Sequence, residues 1–289
     1  MPSPAQDSKR AKLVVHPAHF GDRHRLFVLT AGFTANSSLE FYHFIKWLRQ
    51  YGQVVVVDHP AKGFSLQTEA EQVRPYIESS RETYFIGLSL GARLATEVLD
   101  QLEGSPFRSR VKGVVAICGM NQPSDFNGPS PKLWPFMVWP LTSPSFNRSQ
   151  AENVDKKNPG PPWQVELMPH HQAAIEYGFF FPAKGRRAQV RGISQLKPLV
   201  PGRYADIPMM YLATPDDQVL HLGPASAGWK AAFGDNGEVR WFEPGVVRHC
   251  SLNEHPLAWA LDINLVLKDW DLPVSYNDFA NLIPPSKQV

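Results

Sequence analysis

Up to about residue 120 the chain alternates between two textures. Short unbroken apolar runs are followed by longer stretches in which apolar residues recur at three- and four-residue steps. Lys12 to Val15 and Arg25 to Leu29 read as strands, the second running into Thr30-Ala31-Gly32-Phe33. Ser37 or Ser38 is then placed to cap a helix over Leu39 to Tyr51, in which Phe41, Phe44, Ile45 and Leu48 share a face. Gln53-Val54-Val55-Val56-Val57 is a continuous β-branched run, the pattern of a strand buried on both faces of a parallel sheet. A turn-rich loop follows, Asp58 to Ser65, and then a predicted helix over Thr68 to Ser80, interrupted by Pro75. Tyr84 to Ile86 is a strand, a helix opens at Gly91 or Ala92, and Val111 to Cys118 is another buried strand.

Strands alternating with helices at this spacing specify an α/β fold with a mostly parallel sheet flanked by helices. The alternation stops after residue 120. Residues 121–203 are dense in Pro and aromatics, among them Trp134, Phe136, Trp139, Trp163 and the run Phe179-Phe180-Phe181. A helical stretch over Gln164 to Tyr177 and a basic stretch over Lys184 to Arg191 lie within it. The α/β texture returns with a strand at Ile207 to Ala213, a helix at Pro224 to Phe233, a strand at Glu238 to Phe242 and a helix at Pro256 to Trp270. Connections in an α/β unit usually span ~2–6 residues, so an interruption of this length has a fold or a role of its own. The expected organisation is a polar, disordered tail (1–10), a sheet domain (11–120 plus 204–289) and a largely helical cap inserted between its halves (121–203).

Composition narrows the function classes. With 43% apolar residues the 289-residue chain can build one substantial core. A formal charge of +2 is too small to imply a nucleic-acid partner. There is neither an unbroken apolar run of membrane-spanning length nor a signal-peptide pattern at the N-terminus. Two cysteines, Cys118 and Cys250, are too few for a disulfide framework and fit a reducing, cytoplasmic setting. Without a secretion signal, the triplets at Asn36 and Asn147 read as chance matches to the glycosylation pattern.

The chemistry concentrates at Gly87-Leu88-Ser89-Leu90-Gly91, a Gly-x-Ser-x-Gly turn between an apolar strand and a helix-forming stretch. Such a turn holds its serine in a strained conformation with the hydroxyl exposed at the sheet edge. A side chain at either glycine would strike the neighbouring strand or helix. A serine hydroxyl needs a base, and a histidine base needs an acid to orient it. In an open parallel sheet those groups stand at the carboxyl ends of strands. Downstream of Ser89, the strand at 207–213 is followed by Thr214-Pro215-Asp216-Asp217, and the strand at 238–242 by Pro244-Gly245-Val246-Val247-Arg248-His249. Ser, Asp, His is one of the chain orders in which the triad occurs.

Taken together, these elements resemble the α/β-hydrolase-fold serine hydrolases over nearly the whole chain except the cap. Asp58-His59-Pro60-Ala61-Lys62-Gly63-Phe64-Ser65 resembles the family's Asp-x-Pro-Gly-x-Gly-x-Ser loop, with Ala61 in place of a glycine. Ala213 to Val219 resembles its acid-bearing strand end, and Gly245 to Pro256 its histidine loop. The resemblance implies Ser89 as nucleophile, Asp217 rather than Asp216 as acid, and His249 as base. It also implies an oxyanion hole of the Phe33 and Leu90 backbone N–H groups, with no cofactor and no metal. The family usually has His-Gly where this chain has Ala31-Gly32, a departure that bears on the shape of that loop.

Other residues have plainer readings. His255 opens the last helix. His16 and His19 stand at a metal-ligand spacing without acids or cysteines to complete a site. His170 and His171 fit solvated cap positions, Cys250 a buried thiol, and Arg186, Arg187 and Arg191 a solvated helix face. The expected activity is hydrolysis of an ester, thioester or related acyl bond in a hydrophobic or aromatic small molecule, with Trp134, Phe136, Trp139 and Phe180 lining the cap side of the pocket. Acyl transfer, C–C bond cleavage by the same triad, and a non-catalytic binding protein stay open, as does a homodimer.

Overall fold

The computed structural model describes residues 10–33, 37–60, 63–127, 183–247, 252 and 255–283. The predicted helix over 164–177 and most of the expected cap lie outside them. So do His249, Cys250, His170, His171, Trp134, Phe136, Trp139 and Phe180.

Seven strands form one sheet: β1 (Lys12–His16), β2 (Asp22–Thr30), β3 (Gly52–Asp58), β4 (Glu82–Leu88), β5 (Val111–Ile117), β6 (Met209–Ala213) and β7 (Gly237–Trp241). Their order across the sheet is β1-β3-β2-β4-β5-β6-β7. Every pairing is parallel except β1 with β3. The continuous apolar runs occupy the middle: Val54 to Val57, Phe27 to Leu29 and Val114 to Ile117 are at most 1% exposed. Those strands are covered on both faces, which is what an unbroken β-branched run permits and a half-exposed strand does not.

The helices are α1 (Ser37–Glu40), α2 (Tyr42–Leu48), α3 (Leu66–Ser79), α4 (Ala92–Gln101), α5 (Ala183–Ser194), α6 (Leu222–Phe233), α7 (Pro256–Asp269) and α8 (Tyr276–Ala280). The helix expected over 39–51 is divided at Phe41, whose ψ of 16° departs from the helical value. Its first turn is held to the sheet, because the buried Ser37 hydroxyl donates to the Val57 carbonyl at 2.6 Å and accepts from Ala31 N–H at 2.9 Å. Pro75 does not break α3, which continues for 14 residues. It starts two residues before the expected Thr68, at an N-cap whose Ser65 side chain accepts from Thr68 N–H. Helix α8 was not anticipated. Five residues are too few to show a period, and the helix is fixed by contacts made far away in sequence. Phe279 packs on Phe44 and Trp47, and Trp47 Nε1 donates to the Ser275 carbonyl at 2.9 Å.

β5 and β6 are adjacent and parallel, so the whole segment between them is a single crossover. Its two ends meet. The Asn121 side-chain oxygen accepts from Leu199 N–H at 2.8 Å, and Arg93 of α4 donates to the carbonyls of both Asn121 and Lys197. Long as it is, the crossover leaves and rejoins the sheet at one place, beside the helix that follows Ser89.

Candidate active site

The Ser89 turn is shaped by what two glycines leave out. A Cβ on Gly87 would lie 2.4 Å from Ala92 Cα, and one on Gly91 would lie 2.3 Å from the Thr30 carbonyl oxygen. Both contacts are with backbone and cannot be relieved by rotating a side chain. With strand and helix packed this tightly, Ser89 takes φ of 54°, the left-handed region, at a cost of about 1–3 kcal/mol for a non-glycine residue. A short 3₁₀ turn, Ser89–Gly91, leads into α4. The N-terminal end of that helix directs backbone N–H groups and a partial positive charge towards the Ser89 region.

Gly32, two residues past the end of β2, comes against this serine. A Cβ there would stand 2.9 Å from Ser89 Cβ and 3.4 Å from Ser89 Oγ. The backbone at Gly32 therefore runs alongside the hydroxyl-bearing side chain. Phe33 is half-buried against the core, and Leu90 is fully buried.

Asp216 and Asp217 follow β6 and serve different partners. Asp217 Oδ1 accepts from the N–H groups of Val219 and Leu220, at 2.7 and 2.8 Å. The Cys118 thiol, at the end of neighbouring β5, lies beside the Asp217 carboxylate. Burial pushes the thiol pKa well up and the carboxylate adds to the effect, so Cys118 stays protonated and is no nucleophile. Asp216 instead accepts from Gly245 N–H in the loop after β7. That partner stands 29 residues away in the chain. The same two loops are joined again by the Thr214 hydroxyl, which donates to the Val247 carbonyl at 2.7 Å.

Two residues that sequence reading left unassigned stand close to this centre. His59, just after β3, and Glu69, on α3, are both buried and in contact. His59 Nδ1 lies 3.1 and 3.0 Å from the two Glu69 oxygens. Its Nε2 lies 3.1 Å from the Ala31 carbonyl oxygen. Burial alone would lower the His59 pKa, but the Glu69 carboxylate and the Ala31 carbonyl outweigh it, and the pKa stands above the usual imidazole value. A signal was present in the sequence. Glu69 falls on the inward face of α3 with Leu66, Ala70, Val73 and Ile77, and a charge there requires a partner.

His255 stands at the start of α7 before Pro256, as expected. Arg191 is exposed on α5. Among the described residues no three His, Cys, Asp or Glu side chains are grouped to hold a metal ion, and no helix is long and apolar enough to cross a membrane.

A strained serine between β4 and α4 of one mostly parallel sheet agrees with the profile of the alpha/beta hydrolase family, which matches residues 27–263. The chain belongs to the alpha/beta hydrolase family. Solved structures share its fold at low identity. A carboxylesterase of the ammonia-oxidising thaumarchaeon Nitrososphaera gargenis superposes with a TM-score of 0.67 at 16% identity, over 90% of this chain and 95% of its own. A thermophilic esterase from Thermogutta terrifontis gives 0.65 at 14%, over 90% and 94%. An enol-lactonase from Burkholderia xenovorans gives 0.64 at 13%, over 89% and 97%. At these identities the likeness is one of fold. No curated protein matches the chain in sequence.

Proposed function

We propose that this member of the family is a serine hydrolase that cleaves an ester, thioester or related acyl bond of a hydrophobic or aromatic small molecule through an acyl-enzyme. The observation that carries the reading is Ser89 itself: a non-glycine residue at positive φ, enclosed by two glycines that admit no side chain, with the Gly32 backbone against it. Strain of this kind persists only where the surroundings over-determine it, and it is characteristic of functional positions.

In this reading His249 takes the Ser89 proton as Oγ attacks the carbonyl carbon. The carbonyl π pair moves to oxygen, and the Phe33 and Leu90 N–H groups receive the oxyanion. His249 then returns the proton to the leaving group, and water deacylates Ser89 by the same steps. Asp217 orients the imidazole and stabilises its charged form, its own orientation set by two backbone N–H donors. The joining of the 214–217 loop to Gly245 and Val247 supports this assignment, since it carries the chain to within two residues of His249 beside the acid. The esterase, carboxylesterase and enol-lactonase among the structural neighbours all act on acyl bonds, which agrees with the reaction class. The insertion over 121–203 is the cap, rooted beside α4, and Trp134, Phe136, Trp139 and Phe180 supply its apolar side of the pocket.

The test is covalent labelling. A fluorophosphonate probe should modify the native protein once, at Ser89 by peptide mapping, and should not modify folded Ser89→Ala. Modification at another residue, or none in the native protein, would remove the proposal.

A further inference from the structure

The triad mechanism uses neither His59 nor Glu69, although both are buried and charged groups at the heart of the sheet's carboxyl edge. Their side chains are 0% and 1% exposed. A carbonyl oxygen can only accept, so the His59 nitrogen facing Ala31 carries a proton. The other nitrogen faces a carboxylate, and a ring with acceptors on both sides is held as an imidazolium. Such a pair is costly to desolvate, and replacing it by apolar side chains is often neutral or favourable for folding. Stability is therefore a weak account of why it is there, and what it touches is a better one.

What it touches is the peptide before Gly32. Ala31 has both backbone groups taken by side chains: its N–H by Ser37 Oγ at 2.9 Å, its carbonyl by His59 Nε2 at 3.1 Å. The same carbonyl is pressed on Gly91, where a Cβ would come within 2.4 Å of it. One peptide further on stands Phe33 N–H, and only the two Gly32 torsions lie between. Glycine is the most permissive residue of all, so the direction of that N–H depends on the plane in front of Gly32 being held from elsewhere.

We infer that His59, anchored by Glu69, is a positioning residue for the oxyanion loop: it clamps the Ala31 carbonyl and thereby aims Phe33 N–H at the reaction centre. The inference rests on the serine-hydrolase reading. His59 does not touch the substrate. It acts through a backbone dipole, and misplacing a catalytic donor by about 1 Å can cost ~10²-fold in rate.

Three double variants test it, each removing both charges so that no lone ion is left buried. His59→Leu/Glu69→Leu replaces the pair by apolar side chains. His59→Gln/Glu69→Gln keeps an N–H donor for Ala31. His59→Met/Glu69→Gln matches the second but lacks the donor. Fluorophosphonate labelling is followed over probe concentration, so that saturable binding (KI) and the covalent step (kinact) are separated. The two donor-less variants should keep KI and lose ~10–100-fold in kinact, a loss in the range set by a misaimed oxyanion donor, and the Gln pair should recover most of it. If the apolar pair does not fold, the Gln/Gln and Met/Gln variants still differ only in the donor. Folded donor-less variants with native kinact, or a Gln/Gln variant no faster than Met/Gln, would overturn the inference while leaving the hydrolase reading intact. Absence of Ser89 labelling in the native protein would instead overturn the reading and the inference with it.

Discussion

The Thr214 hydroxyl donates to the Val247 carbonyl across 33 residues of chain, at 2.7 Å. Together with the bond from Gly245 N–H to Asp216, it makes one structural unit of the loops after β6 and β7. Two adjacent aspartates thereby take separate roles. Asp216 braces the neighbouring loop, while Asp217 is held at Oδ1 by Val219 and Leu220 N–H.

That division predicts unequal substitutions. Asp217→Asn should lower turnover by about 10⁴, as expected when the base is left in the wrong tautomer. Asp216→Asn keeps an oxygen for Gly245 N–H and should cost far less, appearing mainly as a small drop in thermal stability. Steady-state kinetics and melting curves on both variants check this, and the reverse ranking would place the acid one residue earlier.

Gly91→Ala should be among the most damaging single-methyl additions in the chain. Its Cβ would meet the carbonyl oxygens of Thr30 and Ala31 at 2.3 and 2.4 Å, and neither can move without shifting β2. Overpacking of this kind costs about 1–3 kcal/mol, and the displaced Ala31 carbonyl would also disturb the loop beside Ser89. Denaturant unfolding gives the first effect and fluorophosphonate labelling the second. Wild-type values for both would mean that the turn is looser than its geometry implies.

The His59–Glu69 pair predicts a pH dependence of stability. The groups facing His59 are Glu69 on α3, Asp58 at the end of β3 and the Ala31 carbonyl, and together they raise its pKa against the lowering effect of burial. In the alkaline window the folded state retains a proton that the unfolded chain has released above its pKa of about 6.5. Stability therefore falls as pH rises there. The contribution is complete below that value and is lost as pH passes through the raised folded pKa. The melting temperature of the native protein should decline above neutrality more steeply than that of His59→Leu/Glu69→Leu. Parallel curves would show that the histidine is neutral in the fold.

The aromatic-rich insertion predicts substrate size. Each aromatic ring can bury ~150–250 Å², so activity should rise from acetyl esters to bulky apolar or ring-bearing ones. The alanine variants of Trp134 and Trp139 should lose that preference. A graded ester panel gives the answer. Highest kcat/KM on acetyl esters, or alanine variants altered in stability alone, would leave those aromatics as packing within the cap.

The central strands, the α/β order and the serine turn were legible in the sequence because each is written locally. A β-branched run such as Val54 to Val57 suits only a strand covered on both faces, and Gly87 and Gly91 mark a turn that no other residue allows. Helix ends such as that at Ser65 were legible to within a few residues for the same reason. The antiparallel seating of β1, the short helix at Tyr276–Ala280 and the bracing of the 245 loop by Asp216 were decided by tertiary contacts alone. Each depends on a partner supplied tens or hundreds of residues away: Val54 to Asp58 for β1, Phe44 and Trp47 for Phe279, Gly245 for Asp216. The His59–Glu69 pair falls between the two. The sequence shows a glutamate on the inward face of a helix, and so a charge that must be met. Only the fold brings His59 to it and turns the other nitrogen towards Ala31, because β2 and β3 are neighbours in the sheet while their residues lie 28 apart in the chain.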